Sequence, residues 1–343
     1  MSKTCLITGG AGFIASHVIE RILIDTDWKI VCLDRLDISG NLNRLYDMLQ
    51  GFMPEVVAKR FRVVFHDLKA EINSTIAQDL GHVDIILHLG AASHVDRSIA
   101  YPMEFVQDNV VGTVNALDYA RKFLPNLDKF IYFSTDEIFG VAPVGTSYKE
   151  YDRYNSTNPY SASKAAAEEF CVAYENTYKM PIYITHTMNV FGERQHPEKF
   201  IPATIQKVRD GETVVIHADP TRTKPGTRMY IHAQDVAEGL LFILNLKDYK
   251  NPYERGFMCP KFNLVGTEEV DNLTLAQWIA DAVGKELIFE MTDFHSLRPG
   301  HDLRYALDGG LMKGLGWEPK IKLSERIEGM VKWTLENPRW LNK

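Results

Sequence analysis

The sequence predicts an α/β fold built on a doubly wound parallel sheet, with a smaller α/β lobe attached. Three features carry that prediction. Short β-rich runs recur through the first half of the chain, helix-spaced stretches separate most of them, and a glycine-rich turn joins the first run to the first helix.

TCLIT (4–8) reads as the first strand, GGAGF as the turn, AGFIASHVIERILID as a helix with apolar residues at helical spacing, and WKIVCL (28–33) as the second strand. Further strands are expected at FRVVF (61–65), VDIILHL (83–89), FIYFS (130–134) and IYITHTM (182–188). After Asn189 the texture changes: GERQHPEKF, HADPTRTKPGTRM and RPGHDLRY are rich in Pro, Gly and charge, and they interleave with shorter helices at 199–210 and 234–245. The expected division is 1–188 plus about 230–256 for the sheet domain, and 189–229 plus about 257–343 for the lobe. The carboxyl ends of the parallel strands are expected to face that lobe, where open α/β sheets bind their ligands.

The 343 residues, at roughly 150 per domain, allow one large domain or two interlocked ones. Lys and Arg number 38 against 45 Asp and Glu, a net charge of −7, which lacks the positive excess that nucleic-acid binding needs. The four cysteines, Cys5, Cys32, Cys171 and Cys259, form no C-x-x-C pair, so no metal is expected and reduced thiols are. No basic leader followed by a long apolar stretch and no membrane-length apolar run is present, so a cytoplasmic protein without membrane partners is expected.

The run Thr8-Gly9-Gly10-Ala11-Gly12-Phe13-Ile14-Ala15 places small residues at 9, 12 and 15 between a strand and a helix. A pyrophosphate requires that pattern: Gly9 for the tight turn, Gly12 for close backbone approach, and the opening N–H groups of the helix at Phe13 and Ile14 as donors. Asp34 ends the second strand, 19 residues after Ala15, where a carboxylate accepts from the adenosine ribose hydroxyls and repels a 2′-phosphate. The cofactor expected of this Rossmann half is NAD. Arg35 keeps NADP open, because a guanidinium there can hold a 2′-phosphate. Asp67, after the third strand and followed by Leu68, is placed either against the adenine or as a helix N-cap.

Tyr160 and Lys164 stand four residues apart, on one face of a helix that Pro159 opens. Lys164 is expected to lower the phenol pKa so that Tyr160 takes an alcohol proton as hydride leaves for the nicotinamide. Ser134-Thr135-Asp136-Glu137 follows the strand FIYF at its carboxyl end. A solvated turn would explain that pair on an anonymous strand, whereas beside a nicotinamide one protonated and one ionised carboxyl form a general acid/base pair.

These features, with HLGAASHVDRSI (88–99), Asn109-Val110-Val111-Gly112-Thr113, STDEIFG (134–140), NPYSASKAAAE (158–168), HPEKFIP (196–202), Phe262-Asn263, RPGHDLRYALD (298–308) and LGWEP (315–319), resemble the extended short-chain dehydrogenase/reductases, and among them the nucleotide-sugar 4,6-dehydratases. The resemblance implies conversion of an NDP-hexose, UDP- or dTDP-glucose or UDP-N-acetylglucosamine, to the 4-keto-6-deoxy sugar. It implies Thr135, Asp136, Glu137, Tyr160 and Lys164 as catalytic residues, and Arg228 and Arg298 on the substrate diphosphate. It further implies Ser93, Asn189, Lys199, Asn263 and His301 as substrate contacts, with Tyr305 nearby, and a homodimer paired through helices near 103–122 and after Tyr160. A 4-epimerase or decarboxylase on the same scaffold, or a silent NAD-binding protein, is the competing expectation; the related epimerases lack the carboxylate pair.

The chain departs from the dTDP-glucose branch in three places. Ala15 replaces the third glycine, Ala92 replaces a glutamate beside the expected sugar, and the loop 217–228 is longer. Asn189-Val190-Phe191-Gly192 also resembles UDP-sugar relatives more closely. The last features bear on the base and on the C2 substituent.

Overall fold

The computed structural model describes residues 2–37, 39–247, 249, 259–293 and 304–342. The first strand, β1 (Thr4–Thr8), is apolar and buried along nearly its whole length, as a strand covered on both faces must be. It leads through the glycine turn into α1 (Phe13–Asp25) and then β2 (Lys29–Asp34). β3 (Phe61–Phe65), β4 (Ile85–His88), β5 (Lys129–Thr135) and β6 (Ile182–Thr187) follow, within a residue or two of the expected runs at most positions.

With β10 (Lys261–Leu264) these strands form a seven-stranded sheet in the order β10-β6-β5-β4-β1-β2-β3. The pairs β1/β2, β2/β3, β1/β4 and β4/β5 are parallel. Strand order reverses between β1 and β4, and that switch point is where an open α/β sheet leaves a crevice. The sheet core is Leu6, Val31, Leu33, Ile86, Phe130, Tyr132 and Ile184 against Leu117 and Ala120 of one helix and Ala167 and Cys171 of another.

The chain divides into two units: one holds the described residues within Met1–Ile138, Asn158–His186 and Ala237–Phe262, the other Phe139–Thr157, Thr187–Val236 and Asn263–Lys343. The second unit has a three-stranded sheet of β7 (Asn189–Phe191), β9 (Thr227–His232) and β11 (Glu269–Asp271), and a parallel pair, β8 (Val214–Ala218) with β12 (Phe289–Asp293). Its core gathers Phe191, Ile201, Ile205, Leu275, Ile279, Ile327 and Val331.

This division corrects the expected boundaries. Residues 139–157, expected with the sheet domain, belong to the second unit, because Arg304 donates to the carbonyls of Pro143 and Thr146 at 2.8 and 2.7 Å, and Tyr148 exchanges backbone bonds with Ala306 and Asp308. Residues 230–236 also stay with the second unit, as part of β9 and its continuation, while residues 259–262 stay with the first, where Lys261 forms an ion pair with Glu168. The expected helix at 103–122 is likewise interrupted: Pro102–Phe105 and Gly112–Phe123 are α-helical, and Val106–Val111 between them is a π-helical turn.

Candidate active site

Gly9 leaves β1 with φ +64°, a conformation glycine takes without strain. A Cβ on it would stand 2.7 Å from the Gly90 Cα beyond β4, and one on Gly12 would stand 2.9 Å from the Gly9 carbonyl. The backbone here is packed too closely for side chains, which leaves a cradle. Gly12 caps α1 without any side-chain hydrogen bond, and the first turn carries no acid. The N–H groups of Phe13 and Ile14 have no intrahelical acceptor, and with the helix dipole they make an anion site. Ala15, at the third small position, is buried, so its methyl is accommodated.

Asp34 is buried at the end of β2, its Oδ2 accepting from Ala11 N–H at 3.0 Å and its Oδ1 from Leu36 N–H at 2.8 Å. Asp67 caps a turn and not a helix, its Oδ1 accepting from Lys69 N–H at 3.0 Å, and the residue lines the cavity. That open cavity is walled by Gly9, Gly12, Asp34, Asp67, Leu68 and Gly90 among others. A glycine cradle under a helix N-terminus, with a buried carboxylate at the end of β2, fits NAD. Arg35 does not offer an open guanidinium to a 2′-phosphate, since Asp108, Asp37 and Asp67 all engage it.

The catalytic groups converge from two elements of the same unit. β5 ends in Thr135 and runs into a 3₁₀ turn, Asp136–Phe139, that presents both carboxylates. Facing it, the helix Pro159–Tyr178 starts with a capping box between Asn158 and Ser161, which fixes the first turn and so Tyr160. The Thr135 hydroxyl opposes the rise that burial gives the Tyr160 phenol pKa, and the Tyr160 ring meets Phe105 edge-on. Thr135 Oγ1 lies 3.1 Å from Asp136 Oδ1, and Asn158 Nδ2 donates to Glu137 Oε2 at 3.3 Å. The Thr135 hydroxyl thus meets the Asp136 carboxyl, while the Glu137 carboxyl is held separately by Asn158 and its charge acts on the phenol.

Lys164 differs from the expectation in detail. Its Nζ donates to the Phe133 carbonyl at 2.7 Å and sits 4.3 Å from the Tyr132 ring centre. Burial pushes its pKa down to about 8, and burial with the Glu137 charge pushes that of Tyr160 up. In this structure the ammonium is held by a backbone carbonyl, and burial favours the neutral phenol. His88, pushed down to about 3 by burial and the Lys164 charge, is a neutral imidazole between Thr8 Oγ1 at 2.8 Å and Thr113 Oγ1 at 3.0 Å.

Among the other expected contacts, Ser93 is exposed on the loop after β4, Asn189 begins β7, and Lys199 stands at the N-cap of the helix Phe200–Asp210. The Arg228 guanidinium lies 5.0 Å from the Tyr305 ring centre, which brings two expected substrate residues together in the second unit. Asn263 has a structural part as well. It is fully buried, and its amide donates to the carbonyls of Tyr148 and Asp308, both at 3.0 Å, so it ties the second unit together. Arg298 and His301 lie outside the described residues. Sequence reasoning passed over Asn109, whose buried amide bonds the Ala92 backbone and Ser163; the only signal was its place in the run Asn109-Val110-Val111-Gly112-Thr113.

A dinucleotide cradle feeding a Tyr–Lys pair defines a nicotinamide-dependent enzyme of the extended short-chain dehydrogenase/reductase class. The chain belongs to the NAD dependent epimerase/dehydratase family, whose model matches residues 5–255. It is 35% identical over 331 residues to the low-salt glycan biosynthesis protein Agl12 of Haloferax volcanii, covering 96% of this chain and 98% of that protein. It is 34% identical over 362 residues to the dTDP-D-glucose 4,6-dehydratase of Bos taurus, covering 99% and 91% of the two. In structure it is similar to DesIV, a dTDP-glucose 4,6-dehydratase from Streptomyces venezuelae solved with NAD bound, with a TM-score of 0.84, 31% identity and 99% of each chain covered.

Proposed function

We propose that this chain is an NAD-dependent nucleotide-sugar 4,6-dehydratase, a hydro-lyase that converts an NDP-hexose to the NDP-4-keto-6-deoxy sugar and water. The observation that carries the reading is the Asp136-Glu137 pair, whose Asp136 carboxyl meets the Thr135 hydroxyl and whose Glu137 charge acts on the Tyr160 phenol. Bound NAD supplies reversible hydride storage, so no external reductant is consumed. The glycine turn at Gly9 and Gly12, the N–H groups of Phe13 and Ile14, and the side chains of Asp34, Asp67 and Leu68 hold it.

Tyr160, oriented by Thr135, takes the C4 hydroxyl proton, and the buried Lys164 ammonium stabilises the phenolate that accepts it. The resulting 4-ketone acidifies C5. Glu137 removes the C5 proton, Asp136 protonates the C6 hydroxyl as it leaves as water, hydride returns to C6 as Glu137 gives a proton back to C5, and the proton held by Tyr160 is passed on to restore the Asp136 acid. One carboxylate starts ionised and the other protonated, which closes the proton balance. Arg228 and Arg298 hold the diphosphate as guanidinium forks, with Ser93, Asn189, Lys199 and His301 as further contacts.

The enzyme is a homodimer in this reading. Met103, Val106 and Phe170 are exposed apolar side chains on helical elements of the first unit that pack against each other, and a second copy covers them. We also place it in the cytoplasm, in keeping with four buried free cysteines; no described helix is long and apolar enough to cross a membrane.

The test is product analysis by NMR after incubation with dTDP- and UDP-hexoses, the 2-acetamido sugars included. A C6 methyl group beside a C4 ketone is expected. A C4 epimer, a pentose from decarboxylation, or unchanged substrate throughout the panel contradicts the reading.

A further inference from the structure

Arg35 directly follows the ribose-directed Asp34, at the place where a guanidinium would meet a 2′-phosphate. Its guanidinium is occupied: Nη1 and Nη2 donate to the two oxygens of Asp108 at 2.6 and 2.8 Å, and Nε, at 2.7 Å, and Nη2 both donate to a single oxygen of Asp37. Asp67 lies 3.4 Å from Nη1. The Asp108 contact is a two-point fork, the strongest arrangement these groups make.

Asp108 reaches Arg35 from the π-helical turn Val106–Val111. Such turns recur where a helix must present a functional side chain. Here successive residues part company: Asp108 lines the dinucleotide cavity, while Asn109 is buried against Ala92 and Ser163. Asp34, Asp37, Asp67 and Asp108 all line that cavity, against the cations Arg35 and Lys69. The wall is net negative, and its best-placed cation already has a partner.

We propose that Asp108 is a cofactor-specificity residue: by holding Arg35 in a two-point ion pair it withdraws the guanidinium that would bind a 2′-phosphate, and its own charge repels one. The inference rests on the NAD-dependent reading above and assigns the preference to a residue 73 positions away from the guanidinium it controls. Asp34 alone does not account for it, because Asp34 is already engaged with Ala11 and Leu36 N–H groups and leaves Arg35 untouched.

The experiment titrates purified full-length enzyme with NADH and with NADPH by nicotinamide fluorescence, and identifies by chromatography the dinucleotide released on denaturation. Unmodified enzyme is expected to bind NADH the more tightly. Asp108→Asn is expected to improve NADPH relative to NADH by about tenfold, the worth of one freed guanidinium–phosphate pair. The gain should vanish in Asp108→Asn/Arg35→Ala, and Asp37→Asn should give a smaller shift because the fork remains. Asp108→Ser reads the same way where Asn does not fold. An unchanged ratio in the Asp108 variants, a gain that survives without Arg35, or an equal gain from Asp37→Asn overturns the inference while leaving NAD dependence intact. Unmodified enzyme that prefers NADPH overturns both.

Discussion

The Asn109 side chain grips Ala92 at both backbone atoms: Oδ1 accepts from the Ala92 N–H at 2.7 Å, and Nδ2 donates to the Ala92 carbonyl at 3.0 Å. Nδ2 also donates to Ser163 Oγ at 2.8 Å, and that hydroxyl donates to the Tyr160 carbonyl at 2.7 Å. One buried amide therefore couples a wall of the dinucleotide cavity to the catalytic helix. Asn109→Ala should destabilise the protein by about 1–3 kcal/mol, because the groups it satisfied stay buried. It should also lower kcat more than it raises KM, since it misplaces Tyr160 rather than removing a contact. Denaturant unfolding alongside steady-state kinetics checks this, and an unchanged midpoint would contradict it.

In the proposed mechanism the carboxylate pair acts only after C4 has been oxidised. Asp136→Asn with Glu137→Gln should thus retain C4 oxidation but lose dehydration, while Tyr160→Phe should impair the first step itself. Each proton-transfer group contributes roughly 10²–10⁴ in rate. In deuterated water the double variant should incorporate no deuterium at C5 and form no C6 methyl. A 4-keto-6-deoxy product from it at the normal rate refutes the assignment.

Ala92 lines the cavity with a methyl where the dTDP-glucose branch carries a carboxylate, and its backbone is fixed by Asn109. The sugar pocket is expected to be roomier near C2/C3, which favours a 2-acetamido hexose as substrate. Ala92→Glu should reduce kcat/KM for the 2-acetamido sugar more than for glucose, by about 1–3 kcal/mol in the ratio. Equal losses on the two sugars would show that the position does not read C2.

Lys164 gives the alkaline limb. Its ammonium, pushed down to about 8 by burial, is fully charged below that pH and lost above it, so a reaction that uses the charge declines as pH rises through about 8. Glu168, one turn further along the helix, holds the ammonium up. Burial raises the Glu168 carboxyl, but His186 and Lys261, the latter at 2.7 Å, outweigh it and keep it ionised. Glu168→Gln should therefore move the alkaline limb to lower pH. It should also cost about 3–5 kcal/mol of stability by leaving the buried Lys261 without its counter-charge. A pH profile of kcat/KM for both forms decides the first point, and a limb that stays in place contradicts it.

What was legible in the sequence is what neighbours write within one element. Gly9, Gly12 and Asp34 sit at strand ends of a single β-turn-α-β unit, Tyr160 and Lys164 share a helix face, and Thr135, Asp136 and Glu137 are consecutive. What was not legible depends on partners far along the chain. Asn109 meets Ser163 across 54 positions, and the segment 139–157 is claimed by Arg304 across more than 150, so no local pattern marks either. The π-turn at 106–111 reads locally as ordinary helix, since its residues carry no breaker. The commitment of the Asn263 amide to Tyr148 and Asp308 was likewise illegible, because a motif match records a residue type and not which groups the folded chain brings to it.

The central claim is that hydride leaves C4 and returns to C6 of the same sugar. It is tested most directly by supplying a nucleotide hexose carrying deuterium at C4 and locating the label in the product by NMR. Dehydration by this site predicts a 4-keto-6-deoxy sugar with the deuterium on its C6 methyl group. Deuterium still at C4 of an inverted sugar would make the chain an epimerase, and its loss to solvent would remove the hydride return altogether; either result contradicts the account.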